Sequence, residues 1–209
     1  MTIENDLTEK YEVIAEDLEY SRPGGTPLLA RLYRPRGVTA FPSIVEVHGG
    51  AWTGNDRLAN AAIDQVIAAA GTAVLALDFR LAPASPYPAS VADINLGIRW
   101  LKANIAKFGG DPNRIGGLGT SSGGHQLWLN LLRPDDSRYA AMKLAGAENV
   151  DASLSFVVMC WPISDPVARY KMARETGNER LVKNHDAFFL TEAAMAEANP
   201  QSILESGEA

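Results

Sequence analysis

Four short apolar runs, each ending in a loop that carries chemically distinctive residues, constrain this chain more than any other feature. They cover residues 43–47, 72–77, the stretch from 114 into Gly119, and 154–161. Each is too short for a helix and is bounded by turn-forming residues, which predicts strands. Runs 72–77 and 154–161 are almost wholly apolar, as strands buried on both faces should be. Between them lie helical patterns: an alanine-rich helix over 58–70 stopped by Gly71, a long helix over 90–108, and a helix over 124–132. In the long helix Ser90 stands as N-cap, and Val91, Ile94, Ile98, Leu101, Ile105 and Phe108 form one apolar stripe. Gly109-Gly110-Asp111-Pro112 ends that helix.

Strands alternating with helices predict an α/β fold: a mostly parallel central sheet with helices on both faces and right-handed crossovers. Residues 11–20 and 28–34 alternate polar and apolar around a turn cluster at 21–27, which predicts an antiparallel N-terminal hairpin at the sheet edge. In such sheets ligands gather at the carboxyl ends of the strands. His48, Asp78, Ser121 and Pro162 all fall there.

Two of those ends carry recognisable chemistry. Gly119-Thr120-Ser121-Ser122-Gly123 is a G-x-S-x-G pattern between a strand and a helix. A serine at that corner is held on a sharp turn with its hydroxyl exposed at the end of the sheet. Glycines are needed because neighbouring backbones come too close for a Cβ. The Ser122 N–H, at the start of a helix, has no intrahelical partner and faces the same hollow. At the other end, His48-Gly49-Gly50-Ala51-Trp52 follows a strand, and its small residues let backbone N–H groups converge on one point. Acyl transfer needs two or three such donors where a carbonyl becomes an oxyanion, each worth about 3–4 kcal/mol of barrier. Trp52 is a candidate wall of the acyl pocket or a core residue.

The motifs His48-Gly-Gly-Ala-Trp52, Asp78-Phe-Arg-Leu-Ala-Pro83, Tyr87-Pro88, Asp93, Phe108-Gly-Gly-Asp-Pro112 and Gly119-Thr-Ser-Ser-Gly-Gly124 occur in this order. Together they resemble the hormone-sensitive-lipase-like carboxylesterases of the α/β-hydrolase superfamily, over about residues 42–165. The resemblance implies that Ser121 is the nucleophile, that the N–H groups of Gly50, Ala51 and Ser122 form an oxyanion hole, and that His48 shapes the loop. Two positions depart from the family. Ala51 replaces a usual third glycine, and its N–H donates equally well provided its φ is negative. Thr120 stands where the family often has an acidic residue, which alters local hydrogen bonding without removing the nucleophile.

The base and its orienting acid are harder to place. In this fold the chain order is Ser, then Asp or Glu, then His. Only His125 and His185 follow Ser121. His125 lies one helical turn past the corner and packs along its helix. Asp165 with His185 satisfies the order, but His185 follows no strand and reads equally as a solvated helical residue in a cap. The run 156–161 reads as a central strand, yet nothing strand-like follows it, and a bare apolar edge would invite aggregation. The resembling family has two further strands here, bearing acid and histidine. The expectation is therefore a core at 1–165 without its C-terminal strands, a helical cap-like segment at 166–209, and a complementary C-terminal fragment or second chain supplying the acid and histidine.

The remaining composition bounds partners. A net charge of −6 argues against nucleic acid or an anionic membrane. No run approaches the ~20 apolar residues of a membrane span. Residues 1–7 lack the pattern of a signal peptide, and the single cysteine, Cys160, forms no internal disulfide, so the expected setting is a reducing cytoplasm. No His/Cys/Asp cluster has metal-ligand spacing, and no cofactor is expected. The predicted activity is hydrolysis of a small-molecule carboxylic ester. An amidase or formamidase would use the same residues, and a non-catalytic small-molecule receptor on the same scaffold is the alternative from another class. A homo-oligomer is left open.

Overall fold

The computed structural model describes residues 11–207. The signal-peptide reading of residues 1–7 therefore lies outside the described residues, as do positions 208 and 209. Six strands form one sheet: β1 (Val13–Ser21), β2 (Leu28–Pro35), β3 (Phe41–Val47), β4 (Ala73–Leu77), β5 (Gly110–Thr120) and β6 (Val157–Cys160). Their order across the sheet is β1-β2-β4-β3-β5-β6. The β1·β2 and β2·β4 pairs are antiparallel, and β4·β3, β3·β5 and β5·β6 are parallel. This is the α/β-hydrolase arrangement expected from the alternation of patterns, with the hairpin at one edge.

Helix α1 (Ala61–Ala69) follows β3, α2 (Ala89–Asn104) follows β4, and α3 (Ser122–Leu132) follows β5. The apolar stripe of α2 is fully buried, with Val91, Ile94, Ile98 and Leu101 at 0% exposure. Its start differs from the expectation. Pro88 precedes the first turn, and the Ser90 hydroxyl donates to Gln126 Oε1 of α3 instead of capping. The first helix is shorter than its alanine-rich pattern, because residues 58–60 form turns and Leu58 is exposed. β5 begins earlier than expected, at Gly110, which pairs with Phe41 before a register shift. A Cβ at Gly110 would meet Ile105 and Phe41 side chains at 2.5 and 2.9 Å, so this glycine lets the incoming strand sit flush on the core.

One hydrophobic core, including Val45, Leu75, Leu77 and Leu127, is shared with α2 and α3. A smaller one, including Ile44, Val74 and Leu118, lies with α1. β6 pairs with β5 from Gly117↔Val157 to Thr120↔Cys160 and, among the described residues, has no strand on its outer side. Phe156, Val158 and Trp161 are 49%, 50% and 74% exposed. The run that reads as central is thus an apolar edge among the described residues.

After β6 come α4 (Pro166–Glu175), α5 (Glu179–Phe189), α6 (Glu192–Glu197) and α7 (Pro200–Ser206). Asp165, Asn178, Thr191 and Asn199 each cap the following helix with a side-chain oxygen. A separate hydrophobic cluster joins this segment to the body through Trp52, Leu129, Phe188 and Ile203. A polar network reinforces it: Tyr87 Oη donates to Glu197 (2.6 Å), whose carboxylate also receives Arg133 and Arg138. Among the described residues no helix is long and apolar enough to cross a membrane.

Candidate active site

Ser121 sits between β5 and α3 with φ 53° and ψ −119°, a backbone region that non-glycine residues rarely enter and that costs of order 1–3 kcal/mol. Tight packing holds it there. A Cβ on Gly119 would lie 2.7 Å from Gly124 Cα, and one on Gly123 would lie 2.1 and 2.3 Å from the carbonyl oxygens of Val47 and His48. Gly119 is therefore where α3 folds back on β5, and Gly123 is where α3 crosses the end of β3. The Ser121 N–H donates to Cys160 O (3.0 Å), and Ser121 O accepts the His125 N–H.

The loop after β3 lies directly against the serine, since a Cβ on Gly49 would be 3.1 Å from Ser121 Cβ. Several of its polar groups are pinned. The Gly49 N–H donates to Thr120 Oγ1 (2.9 Å), Trp52 N–H to Ser122 Oγ (3.3 Å) and Thr53 N–H to Gly50 O (3.1 Å). The Gly49 carbonyl accepts from His48 Nδ1 (2.7 Å) and Asn55 Nδ2 (3.1 Å). The N–H groups of Gly50 and Ala51, and that of Ser122 at the first position of α3, have no acceptor among the described residues. These are the three proposed from sequence for the oxyanion hole.

The condition attached to Ala51 is not met. Its φ is 52°, and Trp52 follows at 64°, so the loop makes a left-handed turn with two side-chain-bearing residues. Each costs roughly 1–2 kcal/mol relative to right-handed backbone. The hydrogen bonds above and Ala82 N–H to Trp52 O (3.0 Å) hold the turn in place. The N–H of Ala51 remains unpaired all the same.

His48 is buried, stacks on Phe79 at 4.3 Å and, with Nδ1–H on the next carbonyl, is kept neutral by burial. It supports the loop and does not contact the serine hydroxyl. Trp52 is a core residue and not a pocket wall. It stacks on Phe188 (5.1 Å, 8°), and its Nε1–H donates to His125 Nδ1 (3.3 Å). His125 Nε2–H in turn donates to Ala198 O (2.8 Å), and burial pushes this histidine down to about 4. Trp52→Ala should therefore cost about 3–5 kcal/mol and loosen α5 first. Urea unfolding with amide exchange of α5 measures both.

His185 is buried, not solvated, and burial lowers its pKa. Its Nδ1–H donates to Leu181 O (2.7 Å), its Nε2 faces Arg169 Nη1 (3.5 Å), and its ring lies 4.9 Å from that of Trp52. Asp165 accepts from Ala168 N–H and Asn199 Nδ2 (2.9 and 2.8 Å). No hydrogen bond joins Ser121, Asp165 and His185, although Asp165, Ala168 and Arg169 line a cleft of about 420 Å³ with Ser121, Trp161 and Pro162. The Ser121 hydroxyl has no acceptor among the described residues. Asp78 and Asp93, both in the motif set, serve the frame. Asp78 accepts Arg57 N–H and its guanidinium, and Asp93 accepts Arg80 N–H and its guanidinium.

Two buried carboxyls, Glu46 of β3 and Asp64 of α1, escape any motif. Burial and the Asp64 charge raise Glu46 to about 8, and burial raises Asp64 to about 7. Both bind protons more tightly in the folded chain than in the unfolded one, where they titrate near 4. Their stabilising effect is full below pH 4 and is lost towards pH 7–8, at about 1.4 kcal/mol per unit for each group. Asp64→Asn should therefore add a few kcal/mol at pH 8, add little at pH 4, and flatten the pH dependence of urea unfolding.

A mixed sheet, parallel from β4 through β3 and β5 to β6, with a strained serine between strand and helix beside the unpaired N–H groups of Gly50 and Ala51, defines the α/β-hydrolase class. Residues 31–202 match the model of the BD-FAE family, and the chain belongs to that family. Among curated proteins it is 38% identical over 113 residues to Esterase LipC of Mycobacterium tuberculosis, covering 53% of this chain and 28% of that protein. It is 37% identical over 117 residues to Carboxylesterase NlhH of the same organism, covering 54% and 36%. Each of these matches spans about a third of the relative's length. Among solved structures, Esterase B from Lactobacillus rhamnosis aligns with a TM-score of 0.77 at 23% identity, over 95% of this chain and 65% of that one.

Proposed function

We propose that this chain carries the nucleophile half of a serine hydrolase acting on carboxylic esters. Ser121 Oγ adds to the ester carbonyl carbon while its proton passes to a base. The carbonyl oxygen takes the negative charge between the N–H groups of Gly50, Ala51 and Ser122. Collapse expels the alcohol with the returned proton, and water then releases the acid from the acyl-serine. The observation that carries this reading is the strained Ser121 beside the unpaired N–H groups of Gly50, Ala51 and Ser122, flanked by the pinned N–H groups of Gly49 and Trp52.

The base and its acid come, in this proposal, from a complementary polypeptide segment that adds a strand to β6. Support lies in the unpaired, apolar outer side of β6 and in Esterase B, where about a third of the chain lies outside the match. Helices α4–α7 act as a cap-like segment, supported by Asp165, Ala168 and Arg169 lining the cleft. Short acyl groups are the proposed substrates, because Esterase B is inhibited by a tributyrin phosphonate. A reducing cytoplasm rests on the single cysteine alone.

The test uses protein purified natively from its own cells. A fluorophosphonate should add mass to the Ser121 peptide within minutes, and denaturing mass measurement should reveal a second, smaller polypeptide or a longer chain. A single species of 22.5 kDa would remove the complement. Failure to label in a complemented sample would favour the receptor reading, which the absence of an acceptor for the Ser121 hydroxyl also supports.

A further inference from the structure

We propose that Glu46 is a positioning residue for the oxyanion loop, acting through Asn60 and Thr120 on the Gly49 amide. The loop's name rests on the function proposed above; the hydrogen-bond chain does not. Glu46 is fully buried in β3, beside Ala76 of β4 and Leu118 of β5. Two residues earlier on the same face stands Ile44. Packing alone would favour another aliphatic residue here, since a buried carboxyl is costly unless it is hydrogen-bonded.

Its side-chain hydrogen bond to Asn60 leads to the site. Asn60 Nδ2 donates to Glu46 Oε1 at 2.7 Å and to Thr120 Oγ1 at 3.2 Å. Asn60 immediately precedes α1, yet its side chain caps no N–H of that helix. An amide nitrogen has two hydrogens, and here each has its own acceptor. Thr120 Oγ1 also receives the Gly49 N–H at 2.9 Å. Gly49 is the last pinned donor before the two free ones at Gly50 and Ala51. The relay therefore runs from the interior of the sheet to the peptide that aims those donors. Without Glu46 one amide hydrogen loses its acceptor, and the orientation of Asn60 is set by Thr120 alone.

Asp64 of α1 is the charged neighbour on this face, and together with burial it favours a neutral Glu46. A neutral carboxyl presents a carbonyl oxygen to Asn60, as a glutamine would. Glu46→Gln should therefore preserve the relay, whereas Glu46→Leu should keep the packing and lose the acceptor.

Amide hydrogen exchange of the ¹⁵N-labelled chain tests this without turnover. Gly49 in Glu46→Gln should exchange within about threefold of wild type. Glu46→Leu and Asn60→Ala should each speed it about tenfold, with β4 amides unchanged and the double variant no faster than either single one. Equal exchange at Gly49 in Glu46→Leu and wild type overturns the proposal. So does Glu46→Gln behaving like leucine, or acceleration that spreads equally to β4. If Glu46→Leu does not fold, Asn60→Ala at its half-buried site decides alone. In the complemented enzyme Glu46→Leu should lower kcat with KM unchanged. Absence of any ester hydrolysis, with the exchange pattern intact, would refute the hydrolase reading and leave the relay standing.

Discussion

Alone, without a complementing segment, the 209-residue chain should hydrolyse an activated ester such as p-nitrophenyl butyrate no faster than its Ser121→Ala variant. A serine hydroxyl is a poor nucleophile until a base takes its proton. The chain has three histidines. His48 is committed to the Gly49 carbonyl and the Phe79 face, His125 to Trp52 and Ala198, and His185 to Leu181 and Arg169. Burial holds all three towards the neutral form, but no histidine ring is hydrogen-bonded to the Ser121 hydroxyl. Serine hydrolases stripped of their base lose a factor on the order of 10⁶ in kcat, and further loss of the serine then changes little. With the complement present, the two proteins should differ by about that factor. A rate for the isolated chain far above that of Ser121→Ala would mean that one of these histidines swings to the serine.

Gly123→Ala should leave no folded protein at 25 °C, while Gly177→Ala should cost only about 1 kcal/mol. The added methyl at 123 has backbone carbonyls at 2.1 and 2.3 Å and nowhere to turn. Relief requires α3 to back away from the end of β3, which would pull Ser122 from Trp52 and open the cores on both sides. Such overpacking against backbone exceeds the usual 1–3 kcal/mol for core insertions. At Gly177 the φ of 65° is strained for alanine, but nothing lies within 4 Å. Circular dichroism with urea titration separates the two. A cooperative Gly123→Ala transition within 2 kcal/mol of wild type would contradict the close approach.

Some of this site was readable from the chain alone. The serine corner is a local object: strand, glycine-spaced turn and helix lie within residues 115–132, and close backbone approach leaves its mark as glycine. The Gly50 and Ala51 donors were readable for the same reason. The tryptophan was not, because whether Trp52 faces substrate or core depends on α5, more than a hundred residues later. His185 looked exposed because its segment is polar, but its own face of α5 packs against Trp52 and Phe189. The left-handed turn at Ala51 and Trp52 carries no sequence mark, since only tertiary hydrogen bonds make it tolerable.

The sequence by itself determined the sheet, the corner and the unpaired amides, because strand and helix periodicity and glycine spacing act over a few residues. Tertiary structure alone decided what surrounds them. The bonds from Gly49 to Thr120 and from Trp52 to His125 join residues 71 and 73 positions apart. Partners at that separation are chosen by how the sheet orders its strands and by which helix lies over which end, and no local pattern encodes that choice.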